Sequence, residues 1–499
     1  MFSDAAVGAV DVASVWRAER GRRCEEKTTQ TGAVSGSDAA TQSRRARDAG
    51  VQTGDGAGFE GRPPVAPGAV DYSGLLEFLQ GVEEPVCREL EKNWKSHAFD
   101  GWRVEWAEPT ERISCLHSLS YPPARERKLH VTGVSWSSTG AVVACSYGRL
   151  DDGDWGADKS YVCAWNLDRR APDPQRPDLV LDAPSATMGL AFHPRRPSVL
   201  AVGLFSGEVL VWDTGRPEDP LIWRSGMTDD SHTDPVYQVT WLPGDKQPRL
   251  LSSSTDGKIL LWQEGNDGLL EPVAGFALAL QQIPRGARPK KISRGATLLG
   301  VTALSFSPFD PTVFIAGTEG GDVLKCWAGA ETPAVGPHLG GGLPLKAPAQ
   351  LAFAPHGGPV YSVSCSPFHR NLFLSGGTDG HVHLYSMLQA QPLVSLQLSK
   401  KYVFGVRWSP IRPLVFAAVT GEGEIHLFDF GQNSQKPSLS VRQSPEPAYC
   451  LEFNPRRAQL LAAGDGGGGV KIWQLGGEFG EEGGRERSQL EMLANEVSD

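Results

Sequence analysis

The sequence predicts an all-β protein, a seven-bladed β-propeller preceded by a disordered tail and an amphipathic helix. Three observations carry that expectation. A unit of about 40 to 45 residues recurs, each copy an alternating strand, a second strand, a tight turn and a third strand closed by an aromatic. Ahead of the copies, apolar residues recur at three- and four-residue steps, the period of one helical face. Ahead of those lie residues 1–70, rich in Ala, Gly, Ser, Thr and Arg, which hold too little apolar surface to offset the entropy of ordering.

The clearest copy of the unit runs from His232 through Val236-Tyr237-Gln238-Val239-Thr240-Trp241 to Trp262, with Asp256-Gly257 at its turn. Two copies precede it, at Val134-Ser135-Trp136 with Trp165 and at Leu190-Ala191-Phe192 with Trp212. Four follow, at Leu304-Ser305-Phe306 with Trp327, Val363-Ser364-Cys365 with Tyr385, Val406-Arg407-Trp408 with Phe428, and Leu451-Glu452-Phe453 with Trp473. This period, turn and terminal aromatic are the pattern of a WD-repeat propeller. With 499 residues, a net charge of −10 and 40% hydrophobic residues, the chain can bury such a core. The expected division is a tail over 1–70, a helix within 71–102, the propeller over 103–476, and an acidic disordered tail over 477–499 that carries Glu478, Glu481, Glu482, Glu486, Glu491 and Glu496.

No apolar run is long enough to span a bilayer and the first residues lack the blocks of a signal peptide, so a soluble protein with no direct membrane insertion is expected. The eight cysteines are scattered, with no close pair at metal-ligand spacing, which points to a reducing compartment and to thiols that fill core positions. In the tail, Arg20, Arg22, Arg23, Arg44, Arg45 and Arg47 alternate with Glu25, Glu26, Asp38 and Asp48. Mixed charge argues against a nucleic-acid arm.

Within the tail, Lys27-Thr28-Thr29-Gln30-Thr31 alternates β-branched and polar side chains, which suits an extended peptide added to the edge of a partner's sheet. The run resembles the Lys-x-Thr-Gln-Thr ligands of the eight-kilodalton dynein light chain. A weaker echo stands at Val51-Gln52-Thr53. The competing reading is chance, because Thr-Gln-Thr is short and the tract is low in complexity.

After the stiff Pro63-Pro64-Val65-Ala66-Pro67 spacer, Leu75, Leu79, Val82, Val86, Leu90 and Trp94 form one apolar stripe. Gly81 and Pro85 weaken the helix, and Pro85 either kinks it or starts a second one. The stripe needs cover, from the propeller itself or from a partner's groove.

From Val104 to Leu119 alternation returns. An open ring would leave an unpaired edge, so a strand near Ile113 to Leu119 is expected to complete the seventh blade. Candidate contact loops are Arg149 to Trp155, the basic insertion Pro284 to Arg294, and the Gly-rich run Gly336 to Gly342 after the fourth blade; a solvated loop is the alternative for the basic insertion.

His232, Asp256 and Trp262, with a strand serine, have residue types found in hydrolytic sites. The spacing recurs with His356 and Asp379, and a polar network repeated in two blades reads as structure. No phosphate-cradling Gly-Lys-Ser/Thr loop is present, and no enzyme, cofactor or metal is assigned. A ubiquitin-ligase substrate receptor or another scaffold propeller is the alternative function. Such receptors resemble one another in a Trp-Asp-x-Arg motif, which fails here at Trp212-Asp213-Thr214-Gly215 and at Trp165-Asn166-Leu167-Asp168.

Longer runs are more specific. Asn93-Trp94-Lys95-Ser96-His97-Ala98-Phe99-Asp100-Gly101, Ala144 to Asp151, Cys163 to Arg170 and Ser364 to Leu374 resemble the WD-repeat intermediate chains of cytoplasmic dynein 2, the motor of retrograde intraflagellar transport, and the likeness extends from Trp16 to Trp473. The resemblance implies a non-catalytic motor subunit. Its propeller would dock on the dynein 2 heavy chain, its helix on a Roadblock-type light chain, and Lys27 to Thr31 on the eight-kilodalton light chain. Bivalent light chains would hold it beside a second dynein 2 intermediate chain. The implied locations are the cytoplasm, the ciliary base and axoneme, the cytoskeleton and the centrosome.

Overall fold

A computed structural model describes residues 72–95, 112–149, 159–170, 172–216, 218–242, 249–284, 298–336, 339, 342–432, 435–481 and 483–495. The chain divides into two units, Met1–Val104 and Glu105–Asp499.

In the first unit, helix α1 covers Tyr72–Lys95 as one element with Pro85 inside it. Proline has no N–H to give to the carbonyl four residues back, which here belongs to Gly81, so both weak positions fall on the same missing bond. Arg88 pairs with Glu84 and Lys92 with Glu89 across single turns of the polar side.

In the second unit, seven antiparallel sheets follow one another, over residues 130–183, 187–224, 236–277, 301–352, 360–397, 403–442 and 448–475. The first strand of each lines a central channel. The outermost strand of the seventh blade comes from the opposite end of the unit, where Ile113–Ser120 pairs antiparallel with Gly469–Leu475, Ile113 opposite Leu475 and Ser120 opposite Gly469. The ring is therefore closed by hydrogen bonds between strands more than 300 residues apart, as the alternation before Tyr121 predicts.

Every inner strand carries a bulge at the same place, skipping one residue between Val131 and Gly133, Thr187 and Gly189, Val236 and Gln238, Val301 and Ala303, Val360 and Ser362, Val403 and Gly405, and Ala448 and Cys450. A bulge re-aims the skipped side chain. The seven skipped residues, Thr132, Met188, Tyr237, Thr302, Tyr361, Phe404 and Tyr449, all line the channel.

Side chains then stitch each inner strand to the next. Phe192 N–H donates to Ser135 Oγ at 3.1 Å, Trp241 Nε1 to Ala191 O at 3.0 Å, Cys365 N–H to Ser305 Oγ at 3.0 Å, and Trp408 N–H to Ser364 Oγ at 3.2 Å. Gln238 both accepts from and donates to the Leu304 backbone at 2.7 Å. Arg407 meets Glu452 at 2.9 Å, and Trp136 Nε1 donates to Glu452 O at 3.1 Å. All seven blade junctions thus satisfy inner-strand polar groups that the sheets leave free.

Packing between blades uses a second repeated device. A Cβ at Gly203, Gly317, Gly376 or Gly464 would come within 2.4–2.8 Å of Val236, Val360, Val403 or Val131, a valine at the start of the next blade's inner strand. At the sixth junction the sizes are reversed, with Val419 and Ala448 in one buried cluster.

The structure corrects the acidic C-terminal tail. Residues Gly477–Gly480 and Glu486–Asn495 form helices, designated α3 and α4, where Pro122–Glu126 is α2. Phe479 is buried among Leu451, Phe453 and Trp473, and Leu490 and Ala494 are buried against Leu372, Leu384, Phe416 and Phe428. Arg412 supplies the counter-charge that composition does not show, bonding Glu486, Asp429 and the carbonyl of Glu478. The Gly-rich run is also relocated: in chain order it falls within the fourth blade, between the strands that end at Trp327 and begin at Ala349. Its residues 337–338 and 340–341 lie outside the described residues, and after Gly342 Leu345–Lys346 pairs parallel with the outer strand of the third blade.

Candidate functional site

Two kinds of site come from the sequence: buried relays that hold blades, and surfaces for partners. In the third blade, Trp262 Nε1 donates to Ser252 Oγ at 2.7 Å, Ser252 Oγ lies 2.7 Å from His232 Nε2, and His232 Nδ1 lies 3.1 Å from Asp256. The loop before the blade is thereby tied to its second strand, its turn and its third strand. Ser252 is wholly buried and His232 is 3% exposed, so no substrate can reach this serine. The fifth blade repeats the relay, with His356 Nδ1 3.0 Å from Asp379 and Nε2 2.6 Å from Ser375 Oγ; Tyr385, in place of the Trp, donates to Ala354 O at 2.6 Å.

A third relay escaped the sequence. In the seventh blade Gln443 stands for the histidine, accepting from Trp473 Nε1 at 2.8 Å and donating to Ala463 O at 3.0 Å and to Asp465 at 3.3 Å. Ala463 stands where the other two have serine. Its acid also sits elsewhere: Asp465 ends the second strand opposite Ala448, where the third blade has Ser254 opposite Val236, and the turn itself is made by Gly466 to Gly468. Neither a His nor an Asp-Gly turn therefore announces the pattern.

The partner decides the acid. Burial raises the Asp379 carboxyl, but the bond from His356 and that histidine's charge outweigh burial and hold it well below the usual range; Asp256 is lowered on the same balance with His232. Opposite a neutral Gln443, burial prevails and Asp465 is raised. In the fifth blade a further ring approaches: ligand atoms of His356, Asp379 and His383 lie within 4.8 Å of one another.

The partner surfaces are placed less completely. Lys27 to Thr31 and Val51 to Thr53 lie outside the described residues, as do residues 150–158, with Trp155, and 285–297 of the basic insertion. On α1, Leu75, Leu79, Val86 and Leu90 are exposed and Val82 is half-buried, while the side chain of Trp94 lies outside the described residues. Leu76 and Phe78, not counted in the stripe, are exposed too and flank it at the helical angle, widening the apolar face. Among the described residues no helix is long and apolar enough to cross a membrane. The arginines of the two imperfect Trp-Asp-x-Arg positions are engaged locally, Arg216 with Asp213 and Arg169 with Asp178.

The seven-bladed ring and its His-Asp relays define a WD-repeat propeller, and the family of WD domain, G-beta repeats matches residues 223–263 and 349–386, the two stretches that hold those relays. The chain belongs to the dynein intermediate-chain family. It is 56% identical to cytoplasmic dynein 2 intermediate chain 2 of Mus musculus and to that of Homo sapiens, over 100% of this chain and 93% of each relative. It is also 27% identical to ciliary dynein intermediate chain 3 of Heliocidaris crassispina, over 76% of this chain and 58% of that one.

Proposed function

We propose that this protein is a non-catalytic intermediate chain of the cytoplasmic dynein 2 motor that docks on the heavy-chain tail through its propeller and on light chains through its N-terminal region. It would support retrograde intraflagellar transport and cilium assembly, working in the cytoplasm and the cilium, at the ciliary base, axoneme and centrosome. The single observation that carries this reading is identity of 56% across the whole chain to dynein 2 intermediate chains. The division of labour draws support from the two units, one a ring whose relays are spent on holding blades, the other a helix with an exposed apolar face. Within the light-chain region, Lys27 to Thr31 would take the eight-kilodalton chain, Val51 to Thr53 would offer a second site, and Leu75, Leu79, Val82, Val86, Leu90 and Trp94 would take the Roadblock-type chain. A second intermediate chain would be held alongside by bivalent light chains at high effective concentration.

The test is affinity purification from ciliated cells of the full chain, residues 1–104 and residues 105–499, with bound proteins identified by mass spectrometry. The propeller fragment runs to the end of the chain because α3 and α4 are part of it. Light chains on the first fragment and a dynein heavy chain on the second support the reading. Recovery of ubiquitin-ligase adaptors with no dynein chain overturns it.

A further inference from the structure

The fifth blade carries the relay of the third with two additions on its third strand. Opposite Ser252 the third blade places Leu260; opposite Ser375 the fifth places His383. Two residues earlier, Lys258 is replaced by His381. Residues two apart on a strand share a face, and the rings of His381 and His383 stack at 5.8 Å while that of His383 lies 4.4 Å from His356.

This crowding leaves the Nδ1 atom of His383 buried with no hydrogen-bond partner. An orphaned buried nitrogen carries a cost that the leucine of the third blade avoids. Beside it, His356 Nδ1 stands 3.0 Å from both oxygens of Asp379. The pocket reaches solvent on one side, where the side chains of His381 and Asp379 are 33% and 18% exposed.

We propose that His356, Asp379 and His383 form a zinc(II) site, with water in the remaining position and His381 at its rim. Two imidazoles and a carboxylate are donors that zinc accepts, and three protein ligands with one water is a common arrangement. Ser375, 2.6 Å from His356 Nε2, sits where a ligating histidine ordinarily has a partner for its other nitrogen. On binding, His356 would release its Nδ1 proton to solvent and ligate through that nitrogen, while its Nε2–H is donated to Ser375 Oγ, so the ring would be neutral in the occupied site. The ion would clamp the loop before the blade, its turn and its third strand. This revises the sequence expectation, in which His356 and Asp379 serve the fold alone.

The full chain, stripped with a chelator and dialysed, is titrated with zinc by calorimetry and with cobalt(II) by visible absorption. The wild type is expected to take up one more zinc equivalent than His383→Leu, which installs the residue the third blade carries. That variant should keep the metal-free melting temperature, bind zinc at the blade more than tenfold more weakly, and lose both the zinc-induced rise in melting temperature and the cobalt band. His383→Gln gives the same reading if the leucine variant folds poorly. Equal zinc uptake and equal melting shifts in wild type and variant overturn the proposal.

Discussion

Arg412 Nε donates to Glu486 at 2.9 Å while its Nη2 donates to Asp429 at 2.9 Å, so one guanidinium on the sixth blade fastens the C-terminal helix to the ring. All three side chains are nearly buried. Removing the cation strands two carboxylates, which costs roughly 3–5 kcal/mol. Arg412→Met is expected to lower the melting temperature and to expose the amides of α4 to hydrogen exchange, whereas Glu486→Gln, which keeps the arginine paired with Asp429, should do less of both.

The glycine and valine that interlock adjacent blades predict a rescue. A Cβ on Gly317 would stand 2.6 Å from Val360 Cγ1, with its other nearest neighbour, Ala303 Cβ, at 3.4 Å. Gly317→Ala should destabilise by about 1–3 kcal/mol through overpacking. Adding Val360→Ala should recover part of that loss, because the pair then approaches the Val419 and Ala448 arrangement. Denaturant unfolding of both single variants and the double variant closes the cycle.

Asp322 is 2% exposed, with Thr318 as its side-chain partner, and burial pushes its carboxyl up to about 6. A folded pKa above the unfolded one means the ionised acid costs stability above pH 6, and the cost fades as pH falls toward 4. Asp322→Asn should therefore stabilise the propeller by about 1–2 kcal/mol at neutral pH. Melting curves should show the advantage disappearing as acid is added; a constant advantage would place its origin elsewhere.

On α1, Leu79, Val86 and Leu90 are half or more exposed. Changing all three to Asp should cost roughly 2–5 kcal/mol at an interface that buries them, and so release the Roadblock-type light chain. The melting temperature of the propeller should hold. Retention of that light chain in a pull-down would assign the stripe another role.

Replacing Thr29, Gln30 and Thr31 with Ala is expected to abolish binding of the eight-kilodalton light chain, measured by calorimetry, with no change in melting. Binding that persists would shift the site to Val51, Gln52 and Thr53.

Much of the ring was legible because its determinants are local. Alternation marks a strand, an Asp-Gly turn marks a hairpin, and a closing aromatic marks the blade, so seven copies could be read one at a time. His232 with Asp256 and His356 with Asp379 lie some two dozen residues apart within single repeats, and recurrence exposed them. The strand Ile113–Ser120 could be read because a closed ring needs one more strand.

What the sequence by itself determined is therefore the repeat: blade number, turns, the strand that shuts the ring, and the kinship that long matching runs carry. Tertiary structure decided whatever depends on a partner far along the chain. Acidic residues 477–495 read as unfoldable until Arg412, more than 60 residues earlier, neutralises Glu486 and the sixth blade covers Leu490. Gln443 looks like any loop glutamine until Trp473 and Asp465 close around it. His383 reads as an alternating strand residue until the fold sets its ring beside His356. Composition reports what one segment can bury alone, whereas charge pairing and ligand geometry belong to residues that only the closed ring brings together.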